Sequence, residues 1–440
     1  MSARRPRFFS ASGGGERNGA ASFDSILSEL GADLGDIENA DIERLRDMAS
    51  EAPVIRLVNR IIADALEERA SDIHIEPYEN RLIVRYRIDG VLREINAPPL
   101  ALAPAIVSRV KIMAHLNIAE RRLSQDGRIS MQLQGKTVDL RISTLPSLHG
   151  ESVVIRILEK GSIALDFARL GMDQALYAQF EQVISQRHGI LLVTGPTGSG
   201  KTTTLYAALK KLNQPEVKII TVEDPIEYQL EGVTQVQVDH NIGRSFAKVL
   251  RSIVRQDPDV IMVGEMRDLE TAEIAVQSAL TGHLVLSTLH TNDSAGAIAR
   301  LLDMGLEDYL LTSTLNGVVG QRLVRTLCGE CREKYAPTKE MVERLGLREA
   351  ADRSASDVFL YRPKGCKACG GRGYAGRLGI YELLVIDQPI RQLILSRTPT
   401  SEILEAARGR GMKTMYQDGL QKALRGLTTI EEVARVTREH

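Results

Sequence analysis

Residues 195–202 read Gly-Pro-Thr-Gly-Ser-Gly-Lys-Thr. This is G-x-x-x-x-G-K-[ST], the pattern of a loop that cradles a triphosphate. Gly195, Gly198 and Gly200 permit backbone conformations that a Cβ resists, so N–H groups can converge on an anion. Lys201 supplies a point charge for the β- and γ-phosphates, and Thr202 a hydroxyl for Mg²⁺. Pro196, Thr197, Ser199 and Thr203 complete the expected nucleotide-binding stretch. An apolar run, Gly189 to Thr194, predicts a strand before the loop, and Thr203 to Leu209 a helix after it. That helix adds its positive N-terminal end to the same phosphates.

Hydrolysis also needs acids near the metal and the attacking water. Asp259-Val-Ile-Met-Val-Gly-Glu265 is an apolar strand ending in an acid, with Glu where a Walker B segment usually has Asp. Glu265 is placed to order the metal's water or to polarise the nucleophile. Thr221-Val-Glu-Asp-Pro-Ile-Glu227 puts Glu223, Asp224 and Glu227 at a strand end, where Pro225 stops the strand and fixes the corner. An ordinary acidic turn is the other reading of that segment. His283 and His290 bracket the apolar run Leu284–Leu289. A histidine beside a γ-phosphate can sense its charge, and two polar residues bounding a core strand is the alternative. Arg141 and Arg156 fall on adjacent expected strands, where a guanidinium aimed at a triphosphate would act as an arginine finger. Arg85, Arg87, Arg251, Arg255 and Arg267 are weaker candidates.

The cysteines form two C-x-x-C pairs, Cys328/Cys331 and Cys366/Cys369, which use every cysteine of the chain. Four thiolates suit tetrahedral Zn²⁺ with no open position, hence a structural site. The 34 residues between the pairs exceed the common spacing. A redox C-x-x-C is the alternative, but neither pair follows a thioredoxin-like pattern.

These groups need a scaffold, and 440 residues allow one of several domains. Residues 1–50 read as a partly disordered segment: polar and small-residue-rich over 10–22, with short helices over 23–49. Residues 51–160 read as one small α/β domain, beginning with a helix from Pro53 and ending with three strands over 128–158, with turns at Gln134-Gly135 and His149-Gly150. A linker is expected over 161–172. From 173 to 440 strands and helices alternate, predicting a mainly parallel sheet covered by helices. Within it, 325–380 reads as a zinc-binding insertion and 386–440 as a helical tail. The strands are expected at 190–194, 217–222, 233–238, 259–263 and 284–288. The formal net charge of −1 gives no global attraction to nucleic acid, and 4% aromatics with no Trp offer few stacking platforms. No apolar run reaches the ~18 residues of a membrane span, and the basic start lacks a signal peptide's apolar region. A cytoplasmic location is therefore expected.

Together the motifs resemble those of the type II secretion ATPases, the general secretion pathway protein E family, and their type IV pilus relatives. The resemblance covers about residues 50–440. It rests on Gly195–Thr202, Thr221–Glu227, Gly264-Glu-Met-Arg-Asp268, Thr281–Asn292 and the four cysteines, with Ser71–Pro77 and Val138–Pro146 similar to the family's N-terminal module. It implies a RecA-like P-loop ATPase domain behind a smaller PAS-like α/β domain. It also implies a homo-hexameric cytoplasmic ring, in which each smaller domain packs towards a neighbouring ATPase domain. It makes Glu265 the catalytic acid of the atypical Walker B segment, and matches Arg141 and Arg156 to arginines that engage phosphate. The implied cofactors are ATP, nucleotide-associated Mg²⁺ and structural Zn²⁺. The implied function is ATP hydrolysis that powers pseudopilus assembly and protein export, with type IV pilus assembly as the alternative. The implied partners are inner-membrane platform proteins, namely the cytoplasmic domain of the L-type protein and the F-type polytopic protein, with peripheral membrane association through them. Retraction motors look similar around the loop but lack the tetracysteine insertion. Typical members carry a further folded N-terminal domain, for which only about 50 residues stand here. A nucleic-acid motor and a non-hydrolysing nucleotide-gated scaffold are the readings from other classes.

Overall fold

The apolar period after Pro53 becomes a helix, Ala52–Glu67, that buries Val54, Leu57, Val58, Ile61, Ile62 and Ala65. Proline is tolerated in its first turn because the N–H there has no partner within the helix. The structure, a computed structural model, describes residues 42–133, 136–159, 166–350 and 358–437. The expected tail over 10–22, most of 23–49 and the Gln134-Gly135 turn lie outside the described residues. Contacts divide the chain into two units, 1–160 and 161–440.

The first unit is built on six antiparallel strands: β1 (Ala70–Pro77), β2 (Leu82–Ile88), β3 (Val91–Ile95), β4 (Gln125–Leu133), β5 (Lys136–Ser147) and β6 (Gly150–Glu159), in the order β3-β2-β1-β6-β5-β4. One face buries Ile73, Ile75, Val84, Tyr86, Val138, Leu140, Ile142, Val153 and Ile155 against helices Ala52–Glu67 and Ala103–Met113. Because side chains alternate along a strand, the other face carries the charges. There Arg128, Arg141, Arg156, Asp72 and Arg87 are successive cross-strand partners.

The second unit centres on a seven-stranded sheet. Its strands are β7 (Gly189–Thr194), β8 (Ile219–Glu223), β9 (Thr234–Gln237), β10 (Val260–Val263), β11 (Leu284–Leu289), β12 (Leu315–Leu327) and, after the small pair β13 (Glu333–Tyr335) and β14 (Leu360–Arg362), β15 (Tyr374–Val385). The order is β15-β12-β7-β11-β10-β8-β9. All pairings are parallel except β12 with β15. β7, β8, β10 and β11 are buried along their whole length, as expected of parallel strands covered by helices on both faces. β12 and β15 are long strands that were not expected from the sequence, and the span 325–380 read as an insertion takes in only the last residues of β12 and the first half of β15. Within that span, the pairing of Arg325 with Arg377 and Leu327 with Tyr374 leaves the cysteine segments beyond the sheet end. Residues 166–172, expected to end a linker, form the helical turn Phe167–Leu170, capped by Asp166. Phe167 and Met172 are buried in this unit's core, so apolar burial overrides the linker reading. Helices Gln388–Leu395, Thr400–Gly409, Met415–Leu424 and Ile430–Thr437 follow β15. Among the described residues, no helix is long and apolar enough to cross a membrane.

Candidate functional site

Parallel register brings the candidate chemistry to one edge of the sheet. Thr194, at the end of β7, lies opposite Leu289 at the end of β11, and Ser287 of β11 lies opposite Val263 of β10. The 195–202 loop, Gly264-Glu265 and His290 therefore all leave the sheet at the carboxyl ends of its strands, where open α/β sheets bind ligands. The loop's glycines sit at φ +152° (Gly195), +78° (Gly198) and +87° (Gly200). Gly200 caps the helix Lys201–Leu212. This loop fits a phosphate chain: left-handed glycines precede a helix N-terminus, with one lysine at the junction.

Lys201 is buried, and its Nζ donates to the carbonyls of Gly195 at 2.8 Å and Pro196 at 3.1 Å. Burial lowers its pKa to about 8, with the Glu265 carboxylate pulling in the other direction. Glu265 is held by clamped backbone on both sides. Gly264 N donates to Val222 O at 2.8 Å, Thr288 Oγ1 to Gly264 O at 2.7 Å, and Met266 N to Thr288 O at 3.1 Å. Its carboxylate pairs with Arg267 and lies 3.4 Å from His290 Nε2. Burial and the Lys201 charge lower the His290 pKa, against the opposing pull of Glu265. Thr291, the next residue, exchanges hydrogen bonds with Thr194: the hydroxyls are 2.6 Å apart and Thr291 N donates to Thr194 Oγ1 at 3.0 Å. The histidine segment is thus tied to the strand that launches the loop.

The other candidates are placed differently. Glu223 is buried, and its carboxylate accepts from the hydroxyls of Tyr206 and, at 2.6 Å, Thr221, and from Gln235 Nε2 at 3.1 Å. It fastens the acidic corner to the helix that follows the phosphate loop. Glu227 is half-buried, and Asp224 is paired with His240 at 3.3 Å. His283 precedes β11 and so stands at the opposite end of the strand from His290; its Nδ1 lies 2.8 Å from Ser278 O. Arg141 and Arg156 belong to the first unit's sheet and face each other across β5 and β6. Arg156 is half-exposed and donates from Nε to Asp72 at 3.0 Å.

One residue at this edge was missed from sequence. Gln321 of β12 is buried; it donates to Ser199 O at 2.8 Å and accepts from Thr204 Oγ1 at 2.7 Å. A glutamine inside the apolar run Val318-Val319-Gly320-Gln321 was the available signal.

The four cysteine sulfurs lie within 4.8 Å of one another, the one such group of three or more potential metal ligands among the described residues. Cys369 Sγ accepts from Cys366 N at 3.2 Å and Gly373 N at 3.1 Å. Backbone donors aimed at a sulfur favour the thiolate, and four converging sulfurs fit a tetrahedral zinc ion.

A family model described as Type II/IV secretion system protein matches residues 47–435. The chain is similar to the type II secretion system protein E of Xanthomonas campestris pv. campestris, with 61% identity over 399 residues, 91% of this chain and 70% of that protein. It is similar to the type II secretion system ATPase E of Vibrio cholerae, with 49% identity over 420 residues, 94% of this chain and 82% of that protein. Among solved structures, the pilus retraction motor PilT with bound ADP is similar at a TM-score of 0.58 and 28% identity, covering 87% of this chain and 97% of that one.

Proposed function

The chain belongs to the Type II/IV secretion system protein family, and from that premise we propose that it hydrolyses ATP, with Mg²⁺, to power protein export through a type II secretion system. The carrying observation is the meeting of Lys201, Glu265 and His290 at one sheet edge beside the glycine loop. In this reading the 195–200 backbone, the helix N-terminus and Lys201 hold the β- and γ-phosphates. Thr202 would hold Mg²⁺, which when bound draws charge from the phosphate oxygens. Glu265 orients the attacking water and accepts its proton, for which its carboxylate must exchange Arg267 for water. His290, held neutral by burial, keeps a hydrogen-bonding edge towards Glu265 and reports phosphate charge to Thr291 and Thr194. Glu223 positions the acidic corner, and Glu227 would help to position Mg²⁺ and the attacking water. Arg141 and Arg156 would supply guanidinium charge to the triphosphate once a homo-hexamer forms. Arg156 would then trade Asp72 for phosphate. Zinc held by Cys328, Cys331, Cys366 and Cys369 is structural. Inner-membrane platform proteins, the L-type and F-type components, would receive the motion at the membrane's cytoplasmic side.

The names of the 61% and 49% identical relatives favour secretion over pilus assembly. The discriminating test is a Lys201→Ala replacement in the source cell. Loss of secreted enzymes with surface pili intact is expected. Loss of pili with secretion intact would transfer the motor to pilus assembly.

A further inference from the structure

We propose that Gln321 is a positioning residue for phosphate binding, and that β12 is the floor on which the phosphate loop takes its shape. The proposal rests on the nucleotide reading above. Gly320 of β12 pairs with Thr194, the last residue before the loop, so Gln321 falls directly beneath it. Two close approaches follow. A Cβ on Gly195 would stand 2.3 Å from Gln321 O, and a Cβ on Gly200 would stand 2.9 Å from Gln321 Nε2. Both ends of the loop therefore rest on this one residue, the first on its main chain and the second on its side chain.

The amide orientation follows from its partners. Ser199 O can only accept, so the NH₂ group faces it at 2.8 Å; the amide oxygen is left for the Thr204 hydroxyl at 2.7 Å. Thr204 is in the first turn of the following helix, and its own N–H donates to Gly200 O at 3.1 Å. In a trans peptide the C=O and the next N–H point in opposite directions. Drawing Ser199 C=O down onto Gln321 therefore turns Gly200 N–H away from β12, the direction in which a phosphate on the open side of the loop would lie. Gln321 thus sets a donor without touching the ligand. Leucine offers no donor, and glutamate would set a carboxylate against the Ser199 carbonyl, so neither can replace it. A glutamine serving only to satisfy the core would alter stability and leave nucleotide affinity unchanged.

The test compares purified wild type, Gln321→Leu, Gln321→Glu, Thr204→Val and Lys201→Ala. For each, Kd for a fluorescent ATP analogue with Mg²⁺, kcat and KM for ATP, and melting temperature are measured. We expect Kd and KM to rise at least ~tenfold in both Gln321 variants, with kcat at saturating ATP reduced less than ~threefold. Thr204→Val, which deletes one hydroxyl and keeps the side chain's shape, should raise KM about threefold. Affinities within about twofold of wild type in a Gln321 variant that melts like wild type would overturn the proposal. Should both Gln321 variants fail to fold, an unchanged KM in Thr204→Val overturns it. Equal nucleotide binding by wild type and Lys201→Ala would instead refute the underlying nucleotide reading.

Discussion

Lys201 is a buried charge at the phosphate loop. Its ammonium is enclosed by loop carbonyls and weighed against one carboxylate, and burial lowers its pKa from the ordinary 10.5 to about 8. Below about pH 8 the lysine is charged and ready for phosphate. As pH rises through that value the charge is lost, so binding a triphosphate must draw a proton back. Affinity should therefore fall above pH 8, by at most about tenfold per pH unit. Calorimetric titration of MgATP at pH 9, in two buffers of different ionisation heat, should show net proton uptake that Lys201→Ala lacks. Buffer-independent heats would contradict this. Lys201, Glu265 and His290 were legible in the sequence because each sits at a fixed offset from an apolar strand that ends at the sheet edge. Gln321 was not, because its contact with Ser199 spans 122 positions and exists only once β12 is laid beside β7. Glu223 shows the reverse limit. Its place at a strand end was legible, but the tyrosine that engages its carboxylate comes from the helix after the phosphate loop.

At the level of elements, the alternation of strand and helix foretold the parallel core, and the burial of β7, β8, β10 and β11 on both faces explains why. β12 and β15 escaped because cysteine-, glycine- and arginine-rich segments overlap their ends and hide the strand pattern. Those strands carry more than the insertion. Tyr381 of β15 donates from its hydroxyl to Leu170 O at 2.9 Å, and its N–H to buried Asp418 at 2.8 Å, so the C-terminal helices are fixed to the catalytic sheet. Glu432 of the last helix pairs with Arg325 of β12 at 2.7 Å. The cysteine group beyond this strand end is predicted to hold about one zinc ion per chain. Cys366→Ser should lose most of that metal and lower the melting temperature, because binding energy at such a site is folding energy. Unchanged metal content in the variant, measured by atomic emission, would contradict the assignment.

On the scale of the whole molecule, a charged sheet face in one unit and a phosphate loop in the other are the two halves of the proposed motor. Within the first unit, register sets three arginines side by side, Arg128, Arg141 and Arg156, with Asp72 beyond them. Like charges in adjacent cross-strand positions repel, and a polyanion would relieve that repulsion. Hydrolysis itself nevertheless depends on the second unit, which brings Lys201, Glu265 and His290 to the sheet edge beside the glycine loop. The most direct measurement is phosphate release from MgATP by the purified full chain, wild type against Lys201→Ala, over a range of protein concentrations. Steady release by wild type is expected, with a rate per chain that rises with concentration as rings assemble, and a loss of at least ~10²-fold in the variant. Release by Lys201→Ala at close to the wild-type rate would contradict this.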